Sequence, residues 1–296
     1  MPGLWAGKSE DAEMIKFNKV AIIGVGLIGS SLALALRKYG LASEVRGSGR
    51  KESNLKKAIQ QGVIDSYSLR HSEIVKGADL VVLATPVGCF KAVIEEVEPF
   101  LKKGAIVTDV GSVKGRLARE MEGMMPEGVT FVGGHPVAGS DRSGIDAATD
   151  DLFAGAKCII TPTENTPEEA VRKVTELWTA IGAEVCFLSP EEHDLVFALV
   201  SHLPHLIAYA LVNTVSDVNP EYIHYAGKGF KDTTRVALSS PELWRDICFK
   251  NKENLLDLVQ RFQESLTSMV DALKRNDSKG LEVLFEKAQS LRGKLL

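Results

Sequence analysis

The sequence predicts two parts, an N-terminal α/β domain with a mostly parallel sheet and an all-α C-terminal domain. Short apolar runs alternate with amphipathic segments up to about residue 188, as expected for strands joined by crossover helices. Beyond that point no strand is predicted, and apolar residues repeat at helical spacing over 255–273. We therefore expect a tail over 1–15, the α/β domain over 16–188 and the helical domain over 189–296.

Bulk composition indicates a globular protein. The 296 residues are 45% hydrophobic and 25% charged, with a net charge of −4. An acidic chain argues against nucleic acid as the main partner, so cations that bind an anionic ligand must be concentrated locally. The four cysteines lie far apart without CxxC pairing, which favours a reduced, cytoplasmic protein without a zinc module.

One segment near the N-terminus mimics a signal peptide. Lys16 and Lys19 precede an uncharged apolar run with a small-x-small site over 33–35. Acidic residues upstream, and three glycines at the spacing of a phosphate-binding turn, favour a strand–turn–helix unit instead. No other segment is long and apolar enough to predict a membrane span, so we expect no membrane partner.

The elements of the first domain follow from apolar runs and glycine stops. The first helix is expected to end at Gly40, since glycine commonly follows the last helical turn. Strands are predicted at 19–24, 43–49, 78–86, 105–112 and 129–136, and helices at 27–40, 51–62 and 89–101. Parallel strands end at one edge of a sheet, where such sheets bind ligands. Thr85, Pro86, Ser112 and His135 should therefore meet at that edge.

Three later helices share one predicted start. Thr166, Ser189 and Ser240 each precede a proline and at least one glutamate, which is the composition of an N-cap and first turn. We expect the side-chain oxygen at each position to accept a backbone N–H of the helix that follows.

The residues Gly24, Gly26, Leu27, Ile28 and Gly29 form a GxGxxG motif between a predicted strand and a predicted helix. The first glycine permits a tight turn, the second lets a pyrophosphate approach the backbone, and the third allows close strand–helix packing. The motif predicts a Rossmann-type dinucleotide-binding domain in which these residues contact the cofactor. A glycine-rich turn without a ligand is the alternative.

The segment after the second predicted strand indicates which nicotinamide cofactor is bound. NAD-binding domains carry an acid about 20 residues after the glycines, but here stand Ser48, Gly49, Arg50 and Lys51. Loss of the acid removes repulsion of a 2′-phosphate, and Arg50 can bind that phosphate with two donors. Ser48 and Lys51 would add further donors. We therefore favour NADP over NAD, against the alternative that the two cations are solvated charges.

Three histidines are candidate site residues. His135 ends a strand at the ligand edge, where an imidazole can act as base for a hydroxyl that loses hydride; a structural histidine is the alternative. Pro204 should kink the helix that carries His202 and His205, which share one face. No cysteine or carboxylate has suitable spacing to complete a metal site, so we expect at least one of them to contact an anionic substrate.

A cationic segment lies further along the chain. The stretch GKGFKDTTR places Lys228, Lys231 and Arg235 close together in an otherwise acidic protein. Such a cluster suits a carboxylate ligand, and a solvated charged face is the alternative.

Several motifs occur in an order that matches one enzyme family. They are GVGLIGSSLA (24–33), ATPV (84–87), TDVGSVKG (108–115), GGHPVAGSDRSG (133–144), SPEEHD (189–194), SHLPH (201–205), GFKDTTR (229–235) and LWRDI (243–247). Across them the chain resembles the prephenate/arogenate dehydrogenase family of tyrosine biosynthesis. The resemblance implies a homodimer formed through the C-terminal helices.

The resemblance also implies the reaction. Hydride leaves the hydroxyl-bearing ring carbon for the nicotinamide, the ring carboxylate departs as carbon dioxide, and the ring becomes aromatic. Prephenate would give 4-hydroxyphenylpyruvate, and arogenate would give tyrosine. By resemblance, His135 draws the hydroxyl proton, and Ser112 orients His135 on the nicotinamide side.

The resemblance assigns the substrate contacts as well. Arg235 would bind the ring carboxylate, His205 would assist, and Trp244 would reach the substrate pocket of the partner subunit. The expected substrate site further includes His202, Ser140 and Lys231, and the expected cofactor site further includes Thr85 and Pro86. One departure is Asp141, where the family often has glutamate, which puts the contact of that position in doubt.

Two other functions stay open. A β-hydroxyacid dehydrogenase also joins a dinucleotide domain to helices, but it uses a catalytic lysine that SHLPH and GFKDTTR do not suit. A non-catalytic dinucleotide-sensing dimer would bind cofactor without turnover and would not need His135, Ser112 and Arg235. Prephenate and arogenate differ only at the side-chain keto or amino group, and no residue reads that difference.

Overall fold

In the computed structural model the described residues are 15–139 and 144–294. The strands are β1 (Phe17–Ile23), β2 (Ala42–Ser48), β3 (Ser66–Ser68), β4 (Leu80–Leu83), β5 (Ile106–Asp109), β6 (Thr130–Pro136), β7 (Lys157–Thr161) and β8 (Glu184–Phe187). They form one eight-stranded sheet in the order β3-β2-β1-β4-β5-β6-β7-β8. Neighbours are parallel except β6 and β7, which confirms the predicted mostly parallel sheet. The predicted tail, apart from Ile15, lies outside the described residues.

Helices cover both faces of this sheet. Those of the α/β part are α1 (Leu27–Lys38), α2 (Glu52–Gln60), α3 (His71–Ile74), α4 (Phe90–Val97), α5 (Gly115–Gly123) and α6 (Glu168–Ala180). Side chains alternate along β1, so that Val20 and Ile22 belong to the core under α1, α2 and α6. Ala21 and Ile23 belong to the core under α4 and α5. Because both of its faces are buried, β1 is apolar from residue 20 to its end.

The described residues after β8 form helices and turns. The helices are α7 (Pro190–Phe197), α8 (Leu203–Val218), α9 (Lys228–Thr234), α10 (Pro241–Lys250), α11 (Lys252–Lys274) and α12 (Ser278–Gly293). The helix predicted from the apolar repeat over 255–273 is confirmed as α11. Leu255 and Leu258 are buried, but Leu266 and Leu273 are 49% and 62% exposed. Periodicity therefore identified the helix, while much of its apolar stripe is left uncovered by this chain.

A widened turn interrupts the helical run that contains α7 and α8. Ala198–His202 form a π-helical turn, and Pro204 follows as the second residue of α8. Proline has no N–H for the carbonyl four residues earlier, so the helix widens where the sequence predicted a kink. The run Pro190–Val218 is also long and apolar enough, by length and composition alone, to cross a membrane. The prediction that no other segment is long and apolar enough for a membrane span is therefore wrong by this criterion.

Two of the three predicted helix caps form. Ser189 and Ser240 each accept a backbone N–H from the first turn of α7 and α10. The prediction for Thr166 is wrong, because its hydroxyl accepts the N–H of Thr163, which precedes it. Pro167 then occupies the capping position of α6 without a side-chain hydrogen bond.

Candidate active site

The carboxyl ends of four parallel strands bring predicted site residues to one edge of the sheet. Gly24 follows β1, Thr85 follows β4, Ser112 follows β5, and His135 lies at the end of β6. β1 lies between β2 and β4, so successive connections leave it in opposite directions and open a crevice there. This edge is the candidate active site.

The glycine turn after β1 is shaped for close approach. Gly24 has a φ of +107°, and a Cβ on it would lie 2.4 Å from the carbonyl oxygen of Ala84. A Cβ on Gly29 would lie 2.1 Å from the carbonyl oxygen of Gly24, so a side chain would push α1 away from the strand. Space around Gly26 is open, and α1 begins there without a side-chain cap. An open helix N-terminus of this kind fits a pyrophosphate.

Neighbouring residues also fit a dinucleotide. Leu27 and Ile28 form the first turn of α1 and are only partly buried. In the described part of the chain the buried Thr85 Oγ1 has no hydrogen-bond partner, and Pro86 precedes a short 3₁₀ turn. A buried hydroxyl without a partner costs free energy that a bound ligand can recover.

The end of β2 lies against the glycine turn. The carbonyl of Ser48 accepts an N–H from that turn at 2.8 Å, so Gly49 occupies the place expected for a ribose-binding acid. Arg50 and Lys51 are exposed, and neither side chain pairs with another described residue. The prediction for Ser48 is wrong, because its buried hydroxyl lies 2.8 Å from His71 Nδ1 and is not available to a phosphate.

A buried ion pair organises the loop after β5. Lys114 Nζ donates to Asp109 Oδ2 at 2.7 Å and to the carbonyl of Gly111 at 2.7 Å, and both charged side chains are 1% exposed. Asp109 also accepts the N–H groups of Gly111 and Gly134. Because Gly134 precedes His135, this one carboxylate ties the end of β5 to the end of β6.

Residues that the sequence analysis did not single out hold His135. Its Nδ1 lies 2.8 Å from His193 Nε2, and His193 Nδ1 lies 2.9 Å from Asp194 Oδ1. All three side chains are buried. The resemblance assigned the orienting role to Ser112, which stays a prediction, while the partner of His135 Nδ1 is His193. The SPEEHD motif contained the signal, since two adjacent polar residues on a helix that packs against a sheet need buried partners.

His202 is buried inside the protein, and its predicted substrate contact stays a prediction. The ring is fully buried, and Asn251 Nδ2 donates to its Nδ1 at 3.1 Å and to the Asp194 carbonyl at 2.8 Å. The ring also lies beside the backbone of Ser112. His202 therefore bridges the π-helical turn, α11 and the loop after β5.

Burial sets the protonation states at this edge. It lowers the pKa of His135 well below 6.5, that of His193 to about 2 and that of His202 to about 4. The charge of Lys114 lowers the pKa of His135 and His193 further. Burial raises the pKa of Asp194 to about 6, although the hydrogen bond from the backbone N–H of Lys114 acts to lower it. At neutral pH the imidazoles are therefore neutral and Asp194 is ionised.

A second cluster lies on the helical side. His205 stacks on Trp244 with ring centroids 3.4 Å apart, and its Nδ1 donates to the carbonyl of Ser201 at 2.9 Å. Burial lowers the pKa of His205, and Arg235 is close enough to lower it further. Lys231 is exposed on α9. Trp244 also lies against His202 in the π-helical turn, and its expected contact with the substrate pocket of a partner subunit stays a prediction.

Four residues of the GGHPVAGSDRSG motif, among them Ser140 and Asp141, lie outside the described residues. The expected substrate contact of Ser140 stays a prediction. Over 15–139 and 144–294, no group of three or more His, Cys, Asp or Glu side chains is placed to hold a metal ion.

Family models match both parts of the chain. The model described as prephenate dehydrogenase, nucleotide-binding domain, matches residues 32–187, and the model described as prephenate dehydrogenase, dimerization domain, matches residues 189–287. The prephenate dehydrogenase of Bacillus subtilis is 34% identical over 92% of this chain and 75% of its own length. The cyclohexadienyl dehydrogenase of Zymomonas mobilis is 35% identical over 94% of this chain and 96% of its own length.

A solved structure is similar over nearly the whole chain. It is the prephenate dehydrogenase from A. aeolicus, in complex with hydroxyphenyl propionate and NAD+. The sequence identity is 36%, the match covers 96% of this chain and 100% of the other, and the TM-score is 0.90.

We predict that the protein loses stability as pH falls below about 6.5. His135, His193 and His202 stay neutral in the fold but gain protons when unfolded, so each favours unfolding by roughly 1.4 kcal/mol per pH unit between its unfolded and folded pKa. The raised pKa of Asp194 opposes this below pH 6, because there the folded state binds one extra proton. Urea unfolding at pH 7 and pH 5 measures the net loss.

Replacing His202 by asparagine should reduce the dependence of the unfolding free energy on pH by the contribution of one histidine. The matched control is His224→Gln, whose parent side chain is 75% exposed and should leave the slope unchanged. Equal stability of the parent protein at both pH values would contradict the protonation states given above.

Proposed function

This chain belongs to the prephenate dehydrogenase family of tyrosine biosynthesis, and we propose that it oxidises and decarboxylates prephenate or arogenate. One observation carries the proposal, a buried and neutral His135 at the sheet edge that also bears the dinucleotide turn. Hydride transfer needs two oriented reactants in a dry crevice, and α7 closes this edge over His135.

The reaction requires positioning and one base. A nicotinamide dinucleotide whose pyrophosphate is held at Gly24, Gly26 and Gly29 would supply the hydride acceptor. As hydride leaves the ring carbon, the hydroxyl on that carbon becomes a strong acid, so a histidine of low pKa suffices to take its proton at Nε2. The bond from the ring to its carboxylate then breaks, the electron pair enters the ring, and His135 returns the proton to the phenol oxygen.

Cations on the helical side are proposed to bind the substrate carboxylates. Arg235 suits the ring carboxylate, because a guanidinium can bind a carboxylate through two parallel hydrogen bonds. Lys231 precedes it by one helical turn and adds positive charge. His205 donates its Nδ1 proton to the carbonyl of Ser201, so in its neutral form Nε2 offers a lone pair. His205 therefore contributes a hydrogen-bond acceptor and a stacked surface, and Arg235 is the residue proposed to bind the anionic carboxylate.

We propose NADP as the preferred cofactor. Gly49 lies beside the glycine turn without an acid to repel a 2′-phosphate, and Arg50 follows it with an exposed guanidinium. Lys51 starts α2, where a cation is unfavourable for the helix dipole unless an anion lies near. Both positions thus favour a cofactor that carries an extra phosphate.

We propose a cytoplasmic homodimer in which residues 16–188 bind the cofactor and 189–296 form the interface. The helical part exposes large apolar side chains, among them Val218 at 72% and Tyr225 at 86%. A cavity of about 430 Å³ lies between α8 and the turn that carries Tyr222. Large apolar side chains exposed together in this way are typical of a surface that a second chain covers. All four cysteines are free thiols, as in a reducing compartment.

Turnover by the purified protein tests the proposed activity. With NADP present, prephenate or arogenate should be oxidised and 3-hydroxyisobutyrate should not. The variant His135→Asn should lose turnover by on the order of 10²- to 10⁴-fold with nearly unchanged cofactor affinity, because only proton removal is impaired. Oxidation of 3-hydroxyisobutyrate alone, or cofactor binding without turnover of any ring substrate, would contradict the assignment.

Arg50→Ala tests the cofactor preference. Removing a charge-assisted contact should lower kcat/KM for NADP about 10- to 100-fold and leave the value for NAD within about twofold. Lys56→Ala is the matched control, because Lys56 is an exposed cation on α2, the helix that follows Arg50. An unchanged ratio of the two cofactors would refute the phosphate contact and leave the enzyme assignment intact.

Leu266→Asp tests the dimer. A carboxylate in an apolar interface should weaken association by at least about 100-fold, because the charge must be desolvated without a partner. Leu69→Asp is the matched control, since Leu69 is similarly exposed but lies on the α/β part. Sedimentation velocity should show dissociation for the first variant only; a dimer that survives it excludes this face of α11.

A further inference from the structure

A line of three buried side chains stands behind His135. His135 Nδ1 lies 2.8 Å from His193 Nε2, and His193 Nδ1 lies 2.9 Å from Asp194 Oδ1. The three side chains are 7%, 0% and 4% exposed, respectively. His135 Nδ1 and both nitrogens of His193 each have one partner in the line, so the position of every proton follows once the direction at one end is known.

The direction is set at the Asp194 end. The backbone N–H of Lys114 donates to the same Oδ1 at 2.7 Å, and the backbone of Gly115 at the start of α5 also favours the charged carboxylate. An ionised carboxylate only accepts hydrogen bonds. His193 must therefore donate from Nδ1, which leaves a lone pair on its Nε2.

The lone pair on His193 determines the state of His135. Since His193 Nε2 accepts, His135 must donate from Nδ1, and the lone pair of neutral His135 then lies on Nε2. Within the described residues no side chain occupies that Nε2. Phe197 packs against both rings, with centroid distances of 4.5 Å to each, and shields the line from water.

We propose that His193, held by Asp194, is a positioning residue that fixes His135 in the tautomer whose Nε2 can accept the substrate hydroxyl proton. The inference rests on the proposed function for the identity of that hydroxyl. When His135 takes the proton it becomes positively charged, and its Nδ1–H still donates to His193. The negative charge of Asp194, on the far side of His193, stabilises this cation. The proton returns to the phenol oxygen, so the line ends each turnover as it began.

Other titratable groups face this line from the surrounding elements. Lys114 approaches from the loop after β5, Asp109 from the end of β5, His202 from the π-helical turn and Cys158 from β7. Apart from His135, Asp194 is the only described side chain bonded to His193, so protonation of Asp194 is the event that can reverse the line. Turnover should therefore decline as pH falls below about 6, with the midpoint set by Asp194 rather than by His135.

The test measures the tautomer directly. In protein labelled with ¹⁵N-histidine, the His135 signals are assigned by comparison with His135→Gln, and their shifts report which nitrogen carries the proton. Wild type should show a protonated Nδ1 and an unprotonated Nε2 at pH 7.5. This readout does not depend on turnover, so it stands even if no cyclohexadienyl substrate is oxidised and the proposed function fails.

Variants at position 193 connect the tautomer to catalysis. His193→Leu removes the acceptor, so His135 should lose its single tautomer and kcat should fall on the order of 10²- to 10³-fold, with KM within about threefold. His193→Gln keeps an amide oxygen within reach of Nδ1 and should restore the tautomer and at least about a tenth of kcat. Leu195→Gln, on the exposed side of α7, is the control for helix integrity.

Three results would contradict the proposal. One is a wild-type His135 protonated at Nε2, which would reverse the line. Another is a His193→Leu variant that retains both the tautomer and kcat, which would show that another group, such as Ser112, orients the base. Loss of kcat in the leucine variant without recovery in a folded glutamine variant would also count against it, because a purely structural role predicts that pattern.

Discussion

The candidate active site depends on the buried ion pair between Asp109 and Lys114. The two charges lie 2.7 Å apart and are almost fully removed from water. Desolvation costs several kcal/mol for each ion, so such a pair holds only where further hydrogen bonds satisfy both partners. Here the carboxylate also accepts the N–H groups of Gly111 and Gly134, and the ammonium also donates to the Gly111 carbonyl. Shifting the loop after β5 would therefore leave a buried charge without partners.

Hydrogen bonds connect this ion pair to the C-terminal helices. The N–H of Lys114 bonds to Asp194, and the carbonyl of Asp194 accepts from Asn251. These contacts place α7 so that His193 meets His135, and they place the π-helical turn so that His202 meets the same asparagine. The burial that strengthens the polar contacts also keeps the imidazoles neutral. Positioning of the base and its protonation state thus have one physical origin.

The parts of the site predicted from the sequence are those governed by local spacing. The glycine turn and the meeting of Thr85, Ser112 and His135 at one edge follow from strand and turn patterns that act over a few residues. The partners of His135 were missed because His193 lies 58 residues away along the chain. Likewise, Ser48 was predicted to face a phosphate, because its neighbours in the sequence do not indicate that His71, 23 residues further along on α3, is its partner. Periodicity marked α11, but which face a partner covers depends on tertiary packing.

The free energy of unfolding of Lys114→Met, measured in urea beside the turnover of the same variant, tests the central role of the ion pair most directly. Methionine keeps the length of the side chain but leaves Asp109 buried without its cation, which should cost about 3 to 5 kcal/mol and most of the turnover. Lys103→Met, which replaces a lysine that is 80% exposed, should change the unfolding free energy by less than about 0.5 kcal/mol. A Lys114→Met protein with wild-type stability and wild-type turnover would contradict the account.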